Sequence, residues 1–229
     1  MFICGIQKLS LLDYPGKICC TVFLRGCNMR CPFCHNASIA LSMQIENQIK
    51  EEDFFAFLKR RKGLLDGVCI SGGEPLLYSS TYEFAEKIKN EGYLVKLDTN
   101  GTNPERLENM IKSGAVDYVA MDIKNCIEKY PLTSGIKDID TEKIKKSAKL
   151  LMQGNVPFEF RTTVVDGFHT KEDIVKIGEW LRGAPRYYLQ PFVDSGDIIK
   201  SGLSALSKEE MLEMKALVSD CFGIVEIRG

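Results

Sequence analysis

The sequence predicts an α/β protein built on a parallel sheet, most simply a partial (β/α)6 barrel forming one domain over residues 1–229. Two observations lead to this fold class. Short apolar, β-prone runs alternate six times with segments of helical periodicity. Each repeat takes roughly 30–40 residues, which is enough for a βαβ unit. Six units are too few for a closed eight-fold barrel, and no linker rich in proline, glycine or serine divides the chain.

The predicted strands are nearly continuous apolar runs, a pattern typical of parallel strands buried on both faces. In chain order they cover 19–26, 66–73, 93–101, 117–124, 157–165 and 186–192. One more apolar run, at 223–229, is expected to add an edge strand.

The predicted helices carry apolar residues near positions i, i+3, i+4 and i+7, the stripe of a helix that covers a sheet. They cover 51–63, 81–92, 105–114, 141–154, 170–183 and 207–220. Five of the six end at glycine, which is a common helix stop. The expected N-cap residues are Thr141, Thr170 and Ser207.

Composition narrows the class of protein. The net charge of −1 gives no strong field toward nucleic acid or an anionic membrane. The first residues lack the basic-then-apolar order of a signal peptide, and no apolar run approaches the roughly 18 residues of a membrane span. We therefore expect a cytoplasmic protein without a nucleic-acid or membrane partner.

Nine cysteines are many for such a chain, and three of them fall within eight residues, at Cys27, Cys31 and Cys34. A secreted disulfide scaffold would be shorter, with more evenly spread cysteines. The other six are expected to be mostly buried, small apolar side chains.

The spacing C-x3-C-x2-C in one loop suits three corners of a [4Fe–4S] cluster. A zinc site completed by His35 and a set of redox or structural thiols remain as alternatives. Because no fourth cysteine follows in the pattern, one iron of a cluster would be open to a small molecule.

The sequences at the ends of the predicted strands are polar or rich in glycine: "SGGEP", "LDTNG", "MDIK", "FRTTVV" and "LQPF". In parallel barrels the active site lies at the carboxyl ends of the strands. We expect these segments and the cysteine loop to meet there.

These residues carry a resemblance to a known family. The three cysteines, with Phe33 before the last, resemble the signature of the radical S-adenosylmethionine superfamily, and Gly72-Gly73-Glu74-Pro75 resembles its "GGEP" motif. Within it, "LDYPGK", "GCNMRCPFCHN", "LDTNG" and "MDIK" resemble activating enzymes of glycyl-radical proteins. The likeness is greatest to activators of anaerobic ribonucleoside-triphosphate reductase, followed by those of pyruvate formate-lyase.

The resemblance implies two cofactors, a [4Fe–4S] cluster and S-adenosylmethionine. The three cysteines would hold three irons, and the amino and carboxylate groups of S-adenosylmethionine would chelate the fourth. The implied cofactor contacts are Phe33, Asn36, Gly72, Gly73, Glu74, Asp98, Thr99, Asn100, Asp122 and Lys124. For Phe33, loop packing is the alternative.

Further roles implied by the resemblance concern charged residues. Asp122 and Lys124 share a side of a strand because they are two residues apart, and a solvated ion pair is the alternative for them. Arg161 would reach the cofactor carboxylate or the substrate peptide, and Asp13 would meet the incoming glycyl loop. Asp98 and Asp122 could instead share a cation. His169 is expected at the surface.

The reaction implied is reductive cleavage of S-adenosylmethionine to a 5′-deoxyadenosyl radical, which takes hydrogen from a glycine of a partner enzyme. The favoured partner is anaerobic ribonucleotide reductase, and the implied electron donor is flavodoxin or ferredoxin. The alternatives are an activator of pyruvate formate-lyase or another glycyl-radical enzyme, a radical enzyme acting on a small molecule, a non-catalytic iron–sulfur redox protein, and a zinc-stabilised binding module.

Overall fold

The computed structural model describes residues 2–41 and 48–228. Their strands form one sheet in the order of the chain. The strands are β1 (Ile3–Ser10), β2 (Cys19–Leu24), β3 (Gly67–Gly72), β4 (Leu94–Thr99), β5 (Tyr118–Asp122), β6 (Phe158–Val164), β7 (Arg186–Pro191) and β8 (Ile224–Ile227). The six predicted parallel strands are β2 to β7, and the predicted edge strand is β8.

The strand β1 is absent from the sequence prediction. It pairs antiparallel with β2, whereas every other neighbouring pair is parallel. The run Ile3–Ser10 mixes apolar and polar residues, and three consecutive residues of it are exposed. Its pattern therefore lacks the continuous apolar signal that identified the other strands.

All six predicted helices are present, and two short helices join them. The helices are α1 (Ala37–Leu41), α2 (Glu51–Arg60), α3 (Thr81–Asn90), α4 (Pro104–Lys112), α5 (Tyr130–Ser134), α6 (Thr141–Gln153), α7 (Lys171–Trp180) and α8 (Lys208–Val218). The two that the sequence prediction missed, α1 and α5, have five residues each, too short to show helical periodicity.

The capping predictions are right for two helices and wrong for one. Thr170 and Ser207 each form a capping box with the third helical residue. Thr141 is not the cap of α6, because the carboxylate of the preceding Asp140 accepts the N–H of Glu142. Asp and Thr are both good N-cap residues, and the sequence alone left the helix start uncertain by one position.

The two faces of the sheet differ in chemistry. The outer face packs on the helices through a continuous apolar core that includes Phe54, Phe84 and Ile177. The inner face carries charged residues that are nevertheless buried or nearly so, among them Lys96 and Glu159. The prediction that the strands are buried on both faces is confirmed. The inner face is nevertheless lined by polar residues, which alternate with apolar ones along β4 and β6.

The barrel is open between its first and last strands, because no strand ladder in the described ranges joins β1 to β8. β8 pairs with β7 only as far as Leu189 opposite Ile227. The part of β7 beyond Leu189 therefore borders the open side.

The remaining cysteines largely match the prediction. Cys19, Cys20, Cys69, Cys126 and Cys221 are buried, and Cys4 is half-buried. No helix within residues 2–41 and 48–228 combines the length and the apolar character needed to cross a membrane.

Candidate active site

A cavity of about 340 Å³ lies at the carboxyl ends of the parallel strands. Every candidate residue named from the sequence lines it: Asp13, Cys27, Cys31, Phe33, Cys34, Asn36, Gly72, Gly73, Glu74, Asp98, Thr99, Asn100, Asp122, Lys124 and Arg161. His35, named from the sequence only as a possible zinc ligand, also lines it. Sequence reasoning did not single out Met29, Ser71, Thr163 or Gln190, although the last three lie in the strand-end segments expected at the site. The expected convergence of the strand ends is confirmed.

The three clustered cysteines lie on the loop between β2 and α1. The Cys27 sulfur accepts a hydrogen bond from the Met29 N–H at 3.3 Å. The Cys34 N–H donates to the Cys31 carbonyl at 3.0 Å, which closes a tight turn between those two. All three cysteines line the same cavity.

Neighbouring segments hold this loop from two sides. The Arg30 N–H donates to the Ser134 carbonyl at 2.7 Å, and the Lys200 N–H donates to the Pro32 carbonyl at 2.9 Å. The first contact depends on Gly135, which has φ +68°, and a Cβ there would lie 2.1 Å from the Arg30 carbonyl oxygen. Only glycine combines that backbone conformation with such a close approach.

Burial keeps the thiols of Cys27 and Cys31 neutral in the protein by itself. Burial raises the pKa of Cys27 to about 12 and also raises that of Cys31. Thiolates are the form that binds metal, so a metal group would have to supply the positive charge that stabilises them.

The positions of the Cys, His, Asp and Glu side chains distinguish between the two metal groups suggested by the sequence, a [4Fe–4S] cluster and a zinc ion. Within the described part of the chain, no three Cys, His, Asp or Glu side chains are close enough together to hold a single metal ion. Three thiols that face one cavity without converging on one point fit a larger group such as a [4Fe–4S] cluster. They do not fit the tetrahedral zinc site considered as an alternative.

Opposite the cysteine loop lies a network of alternating charges. Arg161 contacts the Asp122 carboxylate at 2.9 Å and the Asp98 carboxylate at 3.5 Å. Lys124 contacts the other Asp122 oxygen at 3.1 Å, and the fully buried Lys96 pairs with Asp98. The prediction that Asp122 and Lys124 share a side is confirmed.

The network sets the charge state of its members. Burial raises the pKa of Asp122, but Arg161 and Lys124 outweigh burial and hold it well below its usual range. Burial opposes the charge of Lys124, but Asp122 outweighs it and raises the pKa of that ammonium group. Three cations and two carboxylates leave an excess of positive charge, which suits an anionic group such as the carboxylate of S-adenosylmethionine.

The space between Asp98 and Asp122, where the resemblance suggested a shared cation, is taken by the Arg161 guanidinium. The second oxygen of each carboxylate is also paired with a lysine. A guanidinium thus neutralises the two carboxylates in this chain.

The Glu74 side chain of the "GGEP" segment forms its hydrogen bonds with neighbouring groups of the protein. The Glu74 carboxylate accepts hydrogen bonds from the Leu76 N–H, the Thr99 hydroxyl and the Asn100 N–H at 2.7–3.0 Å. A Cβ on Gly73 would lie 1.9 Å from the Gly26 carbonyl oxygen. Glu74 therefore joins the ends of β3 and β4, and Gly73 lets the cysteine loop approach β3.

The prediction of a surface position for His169 is wrong. This ring is only 4% exposed. Its Nδ1 accepts the Val165 N–H at 3.1 Å, its Nε2 contacts the Lys124 carbonyl at 2.8 Å, and its ring meets the edge of Phe33 at 5.9 Å. A histidine in a polar loop gives no sequence signal of burial, which is why the site residue was missed.

Comparisons with known proteins agree with this site. Residues 21–181 match the Radical SAM superfamily, whose members use a [4Fe–4S] cluster and S-adenosylmethionine. A relative from Methanocaldococcus jannaschii, named "Putative glycyl-radical enzyme activating enzyme", is 38% identical and covers 83% of this chain and 79% of its own length. The pyruvate formate-lyase 1-activating enzyme of Escherichia coli K12 is 28% identical and covers 78% of this chain and 74% of its own.

Solved structures support the fold. A domain of the pyruvate-formate lyase-activating enzyme from Bacteroides vulgatus superposes with a TM-score of 0.56 at 19% identity, covering 71% of this chain and 99% of that domain. The family match spans more than half of the chain and includes the three clustered cysteines. The chain therefore belongs to the radical S-adenosylmethionine superfamily, and within it is an enzyme of the glycyl-radical enzyme activating kind.

Proposed function

We propose that this enzyme generates a glycyl radical in anaerobic ribonucleoside-triphosphate reductase. The observation that carries the proposal is the cavity that brings the three clustered thiols together with a cationic wall formed by Lys124 and Arg161. The preference for this partner rests on the resemblance of "LDYPGK" and "GCNMRCPFCHN" to activators of that reductase. Pyruvate formate-lyase is the second candidate partner, because relatives of this chain are named for its activation.

Cys27, Cys31 and Cys34 would hold the cluster, and the amino-acid end of S-adenosylmethionine would occupy its open iron. When bound, this pair of cofactors supplies one-electron cleavage of the sulfonium, and the resulting 5′-deoxyadenosyl radical takes a hydrogen atom from the partner's glycine. The electron would come from flavodoxin or ferredoxin.

The protein's own residues would bind and orient the cofactor and the partner's glycyl loop. Lys124 would donate to the cofactor carboxylate, since its ammonium stays charged beside Asp122 and charge-assisted hydrogen bonds are strong. Arg161 keeps Asp98 and Asp122 ionised and adds positive charge behind Lys124. Asp13, which accepts a hydrogen bond from Thr21 at 2.5 Å, would meet the partner's glycyl loop.

The remaining predicted contacts would frame the cofactor. Phe33 packs against Phe168 and His169 with tilted rings. It also lines the cavity, where it would lie by the adenine. Asn36 donates weakly to the Gly72 carbonyl at 3.4 Å, and Asn100 donates to Asn28 at 3.0 Å. These bonds would hold the amide side chains in place. Burial in such a pocket would also keep water from the radical.

The test is anaerobic. The reconstituted, reduced protein is mixed with S-adenosylmethionine and each candidate partner in turn, and a glycyl-radical doublet is sought by electron paramagnetic resonance. A doublet in the reductase alone is the expected result. A doublet only in pyruvate formate-lyase would identify that enzyme as the partner instead. The absence of a doublet in every glycyl-radical enzyme of the same genome would overturn the proposal.

A further inference from the structure

Two polar side chains in the cavity wall have no partner in the part of the chain that the structure describes. Thr163 and Gln190 both line the cavity, and among residues 2–41 and 48–228 neither side chain forms a hydrogen bond or ion pair. Several other polar side chains of the wall are already engaged, as Asp13 is with Thr21 and Ser71 is with Asp98. The hydroxyl of Thr163 and the amide of Gln190 are thus available to a ligand.

The two side chains lie next to each other. Thr163 on β6 and Gln190 on β7 are direct partners in the parallel register, so they point to the same face of the sheet about 4.8 Å apart. Both are two residues beyond the pair of Arg161 and Tyr188, which places them on the inner face.

Their position faces the open side of the barrel. The last residue of β7 that pairs with β8 is Leu189, opposite Ile227, so Gln190 lies one residue beyond the end of the edge-strand ladder. Asp13 lines the same cavity beside Thr21 of β2. The cavity is thus lined by Gln190 from β7, near one end of the sheet, and by Asp13 from the segment between β1 and β2, at the other end.

The chemistry of the incoming segment decides what these groups can recognise. A glycine offers no side chain, so a site that selects it must bind the N–H and C=O groups of its backbone. The glutamine amide offers both donors and an acceptor, and the threonine hydroxyl offers one donor and acceptor sites. The anionic end of the cofactor has its own partners in the cationic wall formed by Lys124 and Arg161.

Resting on the proposed function, we infer that Thr163 and Gln190 are specificity-determining residues that bind the backbone of the partner's glycine-bearing segment. The segment binds in an extended conformation, since the inner face of a parallel sheet presents its side chains in rows. The pair takes no part in the cleavage of S-adenosylmethionine.

The test separates partner binding from cofactor binding. In Gln190→Ala, in Thr163→Val and in the double variant, two quantities are measured on the reconstituted protein. One is the Kd for S-adenosylmethionine. The other is the KM for the purified candidate reductase, taken from rates of glycyl-radical formation. The matched control is Gln153→Ala, which removes an exposed glutamine outside the cavity.

We expect each single variant to raise the KM for the partner by about tenfold, the loss of roughly one good hydrogen bond. The Kd for S-adenosylmethionine stays within about twofold of wild type, and the control changes neither quantity.

Two outcomes overturn the inference while leaving the proposed function intact. In one, the Kd for S-adenosylmethionine rises and the KM for the partner does not, so the pair belongs to the cofactor. In the other, neither quantity changes although the wild type forms the radical. If the wild type forms no radical with any candidate, the proposed function fails and this inference fails with it.

Discussion

The His169 ring donates a hydrogen bond from its Nε2–H to the backbone carbonyl oxygen of Lys124, at 2.8 Å. Because Nδ1 accepts the Val165 N–H, the ring must be neutral with its proton on Nε2. The same ring packs against Phe33, which lies between two of the clustered cysteines. One buried imidazole thus connects the cationic wall, the end of β6 and the cysteine loop.

This geometry predicts a pH dependence of folding stability. Burial lowers the pKa of His169 below its ordinary value of 6.5, so the unfolded chain takes up this proton more readily than the folded one. The stability contributed by the neutral ring is complete above pH 6.5 and is lost as the pH falls toward the lowered pKa. His169→Gln should remove this dependence and, by leaving the Val165 N–H unpaired, cost about 1–2 kcal/mol at neutral pH.

The measurement is urea unfolding of anaerobically purified protein at pH 7.5, 6.5 and 5.5. Between the two lower values the wild type should lose up to about 1 kcal/mol more than His169→Gln. Since His35 is present in both proteins, equal losses would show that the His169 ring tolerates protonation.

Gly135 is predicted to control the position of the cysteine loop. Gly135→Ala would place a Cβ against the Arg30 carbonyl oxygen, whereas Gly114→Ala, at a similar φ of +73°, meets nothing within 4 Å. Both variants should lose roughly 1 kcal/mol through backbone strain. Only Gly135→Ala should also bind clearly less iron after reconstitution, as measured by iron and sulfide analysis.

The residues that line this site could be predicted from the sequence, but the contacts that hold the cysteine loop and Lys124 in place could not. The strand-end motifs and the family resemblance together identified the candidate positions that line the cavity, and the parallel topology brings those strand ends together. Ser134, Gly135 and His169 gave no such signal. Their roles depend on contacts between segments far apart in the chain, such as Arg30 with Ser134, and local periodicity carries no information about such contacts.

The charge network shows a second limit of sequence reasoning. Asp98, Asp122 and Arg161 were each named from strand ends, yet the pairing of both carboxylates with one guanidinium depends on strand register. Register between β5 and β6 sets Asp122 opposite Arg161. The family resemblance suggested a bound cation as an alternative, whereas the structure places the Arg161 guanidinium between the two carboxylates.

Arg161→Met is therefore expected to leave two carboxylates without their shared cation. Removing one partner of a buried ion pair typically costs about 3 kcal/mol or more, so thermal unfolding should shift strongly downward. Potassium ions should restore part of the stability of this variant but not affect the wild type. Arg60→Met, at an exposed position of α2, is the control, and a wild type stabilised by potassium would contradict the assignment.

The clustered cysteines should differ sharply from the others in iron binding. Cys27→Ala, Cys31→Ala and Cys34→Ala should each lose nearly all cluster absorbance after reconstitution, because each removes one of three ligands. Cys4→Ala, which removes a half-buried thiol outside the cavity, should retain it. Full iron content in any of the three variants would exclude that residue as a ligand.

The most direct test of this account is electron paramagnetic resonance of the reconstituted, reduced protein, recorded with and without S-adenosylmethionine. The account predicts a [4Fe–4S]+ signal that changes on addition of S-adenosylmethionine, because one iron is open to it. A cluster signal that does not respond to S-adenosylmethionine would contradict the account and leave a simple electron carrier.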